Sequence, residues 1–407
     1  MTAIDDLNKG WTIKRFEKLF AEPQRNGIYK TKEFHGRGQK IINMGELFGY
    51  DFISDQEMKR VELTPKELEK FLVKDGDLLF ARRSLVLEGS GKCSLVVRPS
   101  EDTTFESSII RTRLNKNEAE PKFYYYLFRS PLGRALMSSI ATQTAVSGIT
   151  GSNLVQLRVP HPPLPIQRKI AGILSAYDDL IENNTRRIEI LEEMARSIYR
   201  EWFVTFRFPG HEQVQMVDSE LGLIPEGWEV KKLGEVIRFK NGKSIKVEEE
   251  GDYLVYGSNG IIGRTNEARY QNAIIIGRVG AYCGSLIYSK SAFNASDNTI
   301  IAESASEKFS IELAFYVLEQ MNLRHYAGGA AQPLLTQTFI KEIPAFVPDI
   351  KTNKNFQRII ASQINLKSNL TNKIQNLRQT RDLLLPRLIS GEIDVENLDI
   401  NTGEIAA

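Results

Sequence analysis

A heptad pattern in the middle of the 407-residue chain most constrains its fold. From Ile170 to Trp202, apolar or aromatic residues recur at alternating steps of four and three, and Asn184 is the exception. Such a seam predicts a long helix packed along a partner helix, with the single Asn setting the register. We assign to helix pairing Ile170, Leu174, Tyr177, Ile181, Asn184, Ile188, Leu191 and Ile198.

A second seam lies near the C-terminal end. Its pairing residues are Leu370, Ile374, Leu377, Leu384 and Leu388, with a slip predicted near Leu366. Pro386 is expected to end or kink this helix, because proline lacks the amide proton that a helix interior uses. The segment FQRIIASQI (356–364) resembles IQRKIAGIL (166–174). We therefore expect the two helices to pair antiparallel as a coiled-coil rod; two ordinary core helices are the alternative.

The rest of the chain repeats in the same way. EGWEVKKLGEVI (226–237) resembles KGWTIKRFEKLF (9–20), and AIIIGRVG (273–280) resembles DLLFARRS (77–84). Six such pairs keep their order in the two halves, which indicates an internal duplication with pseudo-two-fold symmetry. The fold class predicted is α+β, with two α/β domains of mainly antiparallel sheet. Strands are predicted at 39–44, 77–80, 93–97, 109–114, 273–276, 285–288 and 299–302, and helices at 123–136 and 311–321.

Composition and motifs argue against several classes of protein. The apolar runs are too short to span a membrane, and two cysteines with four histidines provide no repeated metal framework. EGSGKCS (88–94) departs from the phosphate-loop spacing, and no nucleophile elbow or amino-methyltransferase tetrapeptide occurs. We predict no catalytic residue, no metal and no cofactor bound by this chain, and a cytoplasmic location. The net charge of +2 neither requires nor excludes nucleic acid.

Polar and basic residues recur at matching places in the two halves. Two similar domains held apart suit a ligand with two half-sites, and duplex DNA is the obvious one. Arginine suits guanine edges and phosphates, and glycine-containing turns present side chains outward. A solvated surface position is the alternative for each residue. The DNA-binding candidates are Arg25, Asn26, Lys30, Arg82, Arg83, Ser84, Gln143 and Thr150, then Lys240, Asn241, Lys243, Asn259, Arg278 and Gln332.

Several stretches resemble DNA-specificity subunits of type I restriction–modification systems. They are SGITGSNLVQLRVPHPPLPIQRKIAGILSAYDDLIENN, LLTQTFIKEIPAFVPDIKTNKNFQRIIASQINL, IPEGWEVKKLGEV and LLLPRLISGEIDV, and the resemblance covers nearly the whole chain. It implies two target recognition domains that read a bipartite, asymmetric DNA sequence, separated by spacer helices. The predicted bounds are 1–160 for the first domain, 161–207 for the central helix, 208–226 for a connector, 227–350 for the second domain, 351–394 for the C-terminal helix and 395–407 for a tail.

The resemblance also implies partners. Methyltransferase subunits, two for each specificity subunit, are expected to dock on the helices, and restriction subunits are expected to join through them. S-adenosylmethionine, ATP and Mg²⁺ would belong to those partners in a bacterial or archaeal cytoplasm. Arg196 and Arg378 are our candidates for partner contacts. The rival interpretations are a non-catalytic coiled-coil scaffold and the specificity fragment of a fused restriction–methylation enzyme.

Overall fold

The computed structural model describes residues 10–84, 86, 89–142, 147–328 and 333–398. The chain divides into two compact units. Unit 1 comprises Met1–Asn183 and Lys373–Ala407, and unit 2 comprises Asn184–Asn372. Each unit holds one α/β domain and a stretch of each long helix. No helix in the described part of the chain is both long and apolar enough to cross a membrane.

Unit 1 is built on a five-stranded sheet in the order β2-β10-β6-β8-β4, beside a three-stranded sheet in the order β5-β3-β9. Pairing is antiparallel except for β4 with β8 and β3 with β9. Two short pairs, β1 with β12 and β7 with β11, complete the unit. The strands are β1 Thr12–Arg15, β2 Phe20–Asn26, β3 His35–Ile42, β4 Phe52–Ile53, β5 Lys59–Val61, β6 Leu78–Ala81, β7 Arg83–Ser84, β8 Cys93–Val96, β9 Thr103–Phe105, β10 Ile109–Leu114, β11 Ser147–Gly148 and β12 Arg158–His161.

The helices of unit 1 are α1 Met44–Gly49, α2 Pro65–Phe71, α3 Pro121–Arg129, α4 Pro131–Ile140, α5 Gly151–Gln156 and the first part of α6. The single helix predicted over 123–136 is wrong, because α3 ends and α4 begins at Ser130–Pro131. Ser130 caps α4 by accepting from the amide of Gly133, and proline occupies the first turn of the new helix. The aromatic face of α3 lies fully in the core.

Unit 2 repeats this plan with a four-stranded sheet in the order β16-β22-β19-β20 and a three-stranded sheet in the order β18-β17-β21. Strands β15 and β23 pair, as do β13 and β14. The elements are β13 Met216–Ser219, β14 Gly222–Pro225, β15 Glu229–Lys232, α7 Leu233–Val236, β16 Ile237–Asn241, β17 Tyr253–Gly257, β18 Gly260–Thr265, β19 Ala273–Gly277, β20 Leu286–Ser289, β21 Phe293–Ala295, β22 Thr299–Ser304, α8 Ile311–Gln320, α9 Gln337–Glu342 and β23 Pro344–Val347.

The two long helices are α6, Leu164–Tyr199 with a further π-helical turn to Val204, and α10, Ile350–Ser390. In unit 1, Asp178 of α6 pairs with Arg381 of α10. In unit 2, Glu192 of α6 pairs with Lys367, and Tyr199 lies against Phe356. Residue numbers rise along one helix as they fall along the other, so the predicted antiparallel pairing is confirmed within each unit.

The seams continue further than the sequence suggested. The predicted slip near Leu366 is wrong, because Gln363 and Lys367 continue the steps of four and three between Ile360 and Leu370. Pro386 does not end the helix, because α10 continues past it to Ser390, and the kink expected as the alternative stays a prediction. All pairing residues named above are buried or half-buried: Ile170, Leu174, Tyr177, Ile181, Asn184, Ile188, Leu191 and Ile198 in α6, and Leu370, Ile374, Leu377, Leu384 and Leu388 in α10.

The duplication extends to hydrogen bonds at the start of each long helix. The Gln167 side chain accepts from the amide of Glu120 at 2.9 Å, and the Asn353 side chain accepts from the amide of Ser310 at 3.3 Å. Glu120 and Ser310 are the N-cap residues of α3 and α8, the helices that carry aromatic residues into the core of each unit. Gln167 and Asn353 are each the fourth residue of their long helix. The sequence match of 166–174 with 356–364 aligns Gln167 with Gln357. The structure makes Gln167 equivalent to Asn353 instead, so the match is displaced by four residues, about one helical turn.

Candidate nucleic-acid interface

Arg82 and Arg278 occupy the same backbone frame in the two units. The Arg82 amide donates to the Ser108 carbonyl at 2.9 Å, and its carbonyl accepts from the Ile149 amide at 3.0 Å. The Arg278 amide donates to Asn298 at 2.9 Å, and its carbonyl accepts from Leu335 at 2.9 Å. Each arginine directly follows the central strand, β6 or β19, at the point where the sheet ends.

A short two-stranded edge continues from each arginine. In unit 1, Arg83 and Ser84 pair with Gly148 and Ser147. In unit 2, Val279 pairs with Leu334 through a single bridge. We call these edges rim 1, residues 82–84 and 147–150, and rim 2, residues 278–279 and 334–336.

A threonine closes each rim by capping the next helix. The Thr150 hydroxyl accepts from the Asn153 amide at 3.2 Å at the start of α5. The Thr336 hydroxyl accepts from the Phe339 amide at 3.4 Å at the start of α9. Thr150 therefore has a structural role that its selection as a DNA contact did not anticipate, and its side chain remains exposed.

The asparagine turns lie at the same end of each sheet as the arginines. The amide of Gly27 donates to the Ile109 carbonyl, and the amide of Gly242 donates to the Thr299 carbonyl, both at 3.0 Å. A Cβ atom at Gly27 would lie 2.1 Å from the Glu106 carbonyl oxygen, so this turn requires glycine. Asn26, Asn241 and Lys243 are therefore presented beside each rim, and all three are exposed.

Asn259 reaches the same region of unit 2 from a different element. It lies in the turn between β17 and β18, next to Ser258, whose hydroxyl donates to the Asn298 carbonyl at 2.6 Å. The same Asn298 carbonyl accepts from the Arg278 amide. The sequence pointed to Ser258 beside Asn259 but not to Asn298, because the contact joins residues forty positions apart.

The cationic candidates differ in how far their charge is already used. Lys30 donates to Glu67 at 2.7 Å with only 9% of its side chain exposed, and Lys240 donates to Glu303 at 2.8 Å. The bond from Lys30 is the main reason that the pKa of Glu67 is lowered. Arg82 and Arg83 have no ion pair with any residue in the described ranges. Lys30 and Lys240 are therefore weaker candidates than the rim arginines.

Three arginines have a buried Nε atom without a hydrogen-bond partner among the described residues. One is Arg111, whose guanidinium is otherwise paired with Glu22; the two that are DNA-binding candidates are Arg25 and Arg278. The Arg25 guanidinium also lies over the Phe71 ring, 5.6 Å from its centroid. Both are half-buried. A buried donor without a partner is costly, and it fits a position that gains its partner when a ligand binds.

The remaining predicted residues fall into three groups. Gln143 and Gln332 lie outside the described residues. Arg196 forms an ion pair with Glu319 at 3.2 Å, which raises the pKa of Arg196, while Arg378 is exposed.

Over the part of the chain that the structure describes, no group of three or more His, Cys, Asp or Glu residues is arranged to hold a metal ion.

Comparison with known proteins places these features in a family. A family model described as the type I restriction modification DNA specificity domain matches residues 8–193 and 225–379. The MjaIX specificity subunit of Methanocaldococcus jannaschii is 25% identical over 98% of this chain and 96% of its own length. The HindI specificity subunit of Haemophilus influenzae is 24% identical, with 87% and 94% covered.

The fold has a counterpart among solved structures. The crystal structure of a type I restriction–modification S subunit from M. genitalium superposes with a TM-score of 0.64 at 20% identity, covering 94% of this chain and 96% of that one. It supports the predicted fold class of α/β domains with long helices.

The matches favour neither a scaffold nor a fused enzyme. Specificity subunits are the non-catalytic, DNA-binding component of complexes with modification and restriction subunits. Since the family model covers most of both halves, the chain belongs to the type I restriction–modification DNA specificity family and is the DNA-recognition subunit of such a system.

Proposed function

We propose that the chain reads a bipartite, asymmetric DNA target, with one half-site recognised at each rim. The observation that carries this proposal is the repeated frame of Arg82 and Arg278. Both arginines have the same two backbone hydrogen bonds and the same position at a strand end. Their neighbours differ, with Arg83 and Gly148 in rim 1 and Val279 and Leu334 in rim 2. Equal frames with unequal side chains suit two half-sites of different sequence.

Recognition at each rim would use direct contacts to base edges. Arginine donates two parallel hydrogen bonds to the O6 and N7 atoms of guanine, whereas asparagine donates one to N7 of adenine and accepts one from its N6 amino group. Asn26 in unit 1 and Asn241 with Asn259 in unit 2 are exposed beside the arginines. Lys243 is exposed as well and would neutralise a backbone phosphate. No step in this account forms or breaks a covalent bond.

The test is binding by the full chain in complex with its methyltransferase partner. Arg82→Ala should weaken binding to the cognate target by about ten- to a hundredfold, the loss expected for one bidentate base contact. The loss should vanish on targets whose half-site for unit 1 is already altered. Arg278→Ala should likewise lose its effect on targets whose half-site for unit 2 is altered. Lys30→Ala is the matched control, since its charge is paired with Glu67. Equal losses on cognate and random DNA would contradict base reading and reduce both arginines to phosphate anchors.

Partner docking is the second part of the proposal. In unit 2, Ile190 and Met194 lie one turn apart on α6, with 47% and 48% of their surfaces exposed. An apolar stripe beside a helix seam suits packing against a helix of another chain. We assign this stripe, rather than the internally paired Arg196, to a methyltransferase subunit, with two such subunits per chain and restriction subunits joining through them.

Assembly can be measured directly by co-purification. Met194→Glu should reduce recovery of the methyltransferase subunit without unfolding the chain, and charge reversal at Arg378 should weaken it as well. Glu189→Gln on the same helix serves as the control, because Glu189 is exposed and outside the stripe. Full recovery with Met194→Glu would move the docking surface elsewhere.

Cofactor chemistry is assigned to the partners. S-adenosylmethionine, ATP and Mg²⁺ would bind to modification and restriction subunits, and this chain would bind none of them. The complex would act in the cytoplasm of a bacterium or archaeon, where chromosomal DNA is accessible. Methyl transfer by the purified chain alone would contradict this assignment.

A further inference from the structure

Rim 2 carries two paired apolar side chains at positions where rim 1 has none. Arg83 and Gly148 face each other in unit 1, whereas Val279 and Leu334 do so in unit 2. Three residues after the capping threonine, unit 1 has Asn153 and unit 2 has Phe339. Leu334 and Phe339 are 40% and 49% exposed, and they matter here because they lie close to further exposed aromatic residues.

Two tyrosines extend this exposed region. Tyr282, in the turn that follows Arg278, is 51% exposed, and the Tyr326 ring lies 5.6 Å from the Phe339 ring. We call Tyr282, Tyr326, Leu334 and Phe339 the apolar face. All four are in unit 2, and the Val279–Leu334 bridge connects this face to the frame of Arg278.

Cations border the apolar face. Arg324 donates to the Ala281 carbonyl at 3.0 Å and so holds the turn that carries Tyr282. Arg278 precedes that turn in the chain, and its Nε atom has no partner among the described residues. An apolar surface framed by arginines fits a duplex groove, where phosphates flank base edges.

Apolar side chains can recognise only one base feature in the major groove, the 5-methyl group of thymine. We propose that the apolar face reads thymine methyl groups, so that the half-site of unit 2 contains at least one A·T pair whose thymine methyl group contributes to affinity. In unit 1, Arg83 of rim 1 and Asn153 of α5 would read hydrogen-bonding edges instead. This inference rests on the proposed function and adds the chemistry of the half-site to it.

The test replaces single thymines of the mapped target by deoxyuridine, which removes only the methyl group. The full chain is assayed with its methyltransferase partner on duplexes substituted in one half at a time. In the half that Arg278→Ala affects, at least one replacement should weaken binding about fourfold, as expected for losing one buried methyl group. Replacements in the half that Arg82→Ala affects should leave affinity within twofold.

Variants of the apolar face supply the matched control. Phe339→Asn and Leu334→Gly introduce the residues that unit 1 carries at equivalent positions. Each is expected to abolish the difference between thymine and deoxyuridine while sequence-specific binding remains. Because Phe339 is exposed, Phe339→Asn should fold even if Leu334→Gly disturbs the rim.

Three outcomes would overturn the inference. They are a unit 2 half-site of G·C pairs alone, equal affinity for thymine and deoxyuridine at every position in that half, and loss of methyltransferase co-purification in Phe339→Asn with the deoxyuridine effect unchanged. The last would make the apolar face a protein-docking surface. Failure of the proposed function is distinguishable, because the chain would then show no sequence-specific binding to either half.

Discussion

At the residue scale, one buried network in unit 1 joins three helices. Arg381 of α10 pairs with Asp178 of α6, and the Tyr126 hydroxyl of α3 donates to the same carboxylate at 2.6 Å. Only 10% of the Arg381 side chain and 9% of the Asp178 side chain are exposed. Removing one partner of a buried pair leaves an uncompensated charge, so this contact should matter far more than an exposed pair.

Arg381→Ala is predicted to lower the free energy of unfolding of unit 1 by about 3–5 kcal/mol, the cost of stranding the Asp178 carboxylate. Lys367→Ala, which breaks the more exposed pair with Glu192 in unit 2, should cost about 1 kcal/mol or less. Hydrogen-exchange mass spectrometry during urea unfolding measures the free energy of unfolding of each unit separately. Similar losses for the two variants would contradict the assigned difference in burial.

His161 provides a pH-dependent prediction. Burial lowers the pKa of His161 below its usual 6.5, with the nearby Lys14 contributing, and its Nδ1 atom lies within hydrogen-bond distance of the Tyr124 hydroxyl, at 2.9 Å. Folding therefore favours the neutral ring. The resulting stability is present above the unfolded pKa and is lost as the pH falls through 6.5 toward the folded value.

The free energy of unfolding of unit 1 should fall between about pH 7.5 and about pH 5.5, a range in which ordinary carboxyl groups stay ionised. His161→Gln should show a shallower decline over the same range. The measurement is hydrogen exchange of unit 1 peptides in urea at several pH values. An unchanged slope in the variant would assign the pH dependence to another group.

At the scale of secondary-structure elements, the seam of α10 contains a polar residue whose side-chain oxygen has no partner among the described residues. The Gln363 side-chain oxygen is buried and accepts no hydrogen bond from the described residues. Gln363→Leu should stabilise unit 2 by about 1 kcal/mol, because it removes an unpaired acceptor and adds apolar contact. The same change at exposed Gln379 is the control. The fluorescence of Trp202 and Trp228 during urea unfolding measures the free energy of unfolding of unit 2. Destabilisation by Gln363→Leu would contradict our seam assignment.

The helices show how far local pattern can be followed. The seam of α6 could be predicted because helical periodicity is local and nearly every position in it is apolar. The slip near Leu366 was mistaken because Gln363 and Lys367 are polar seam residues. The one-turn displacement of the repeat arose because the match followed residue identity, whereas the capping bonds of Gln167 and Asn353 define the true correspondence.

The residues of the candidate interface likewise divide into those that the sequence could identify and those that it could not. Arg82 and Arg278 were found because each follows a strand that is recognisable in the sequence. Leu334 and Phe339 were missed because their significance depends on a bridge to Val279 and on equivalence with Gly148 and Asn153, both of which need the three-dimensional pairing. The structural use of Lys30 and Arg196 was likewise invisible, since Glu67 and Glu319 are remote in sequence.

At the scale of the whole molecule, binding should combine a salt-dependent term with a specific one. The logarithm of the affinity should fall linearly with the logarithm of salt concentration, with a slope of about −0.9 for each phosphate contacted. Lys243→Ala should make this slope shallower by about one unit without changing the ratio of cognate to random affinity. Fluorescence anisotropy across a salt series measures both, and a changed ratio would make Lys243 a base contact.

The central claim is that one chain reads two different half-sites, one in each unit. Its most direct test is genome-wide mapping of methylated bases in cells that express the methyltransferase subunit with this chain, or with Arg82→Ala or Arg278→Ala. We predict a motif of two dissimilar blocks separated by unspecified bases, with each variant relaxing a different block. A single contiguous motif, or relaxation of the same block by both variants, would contradict the account.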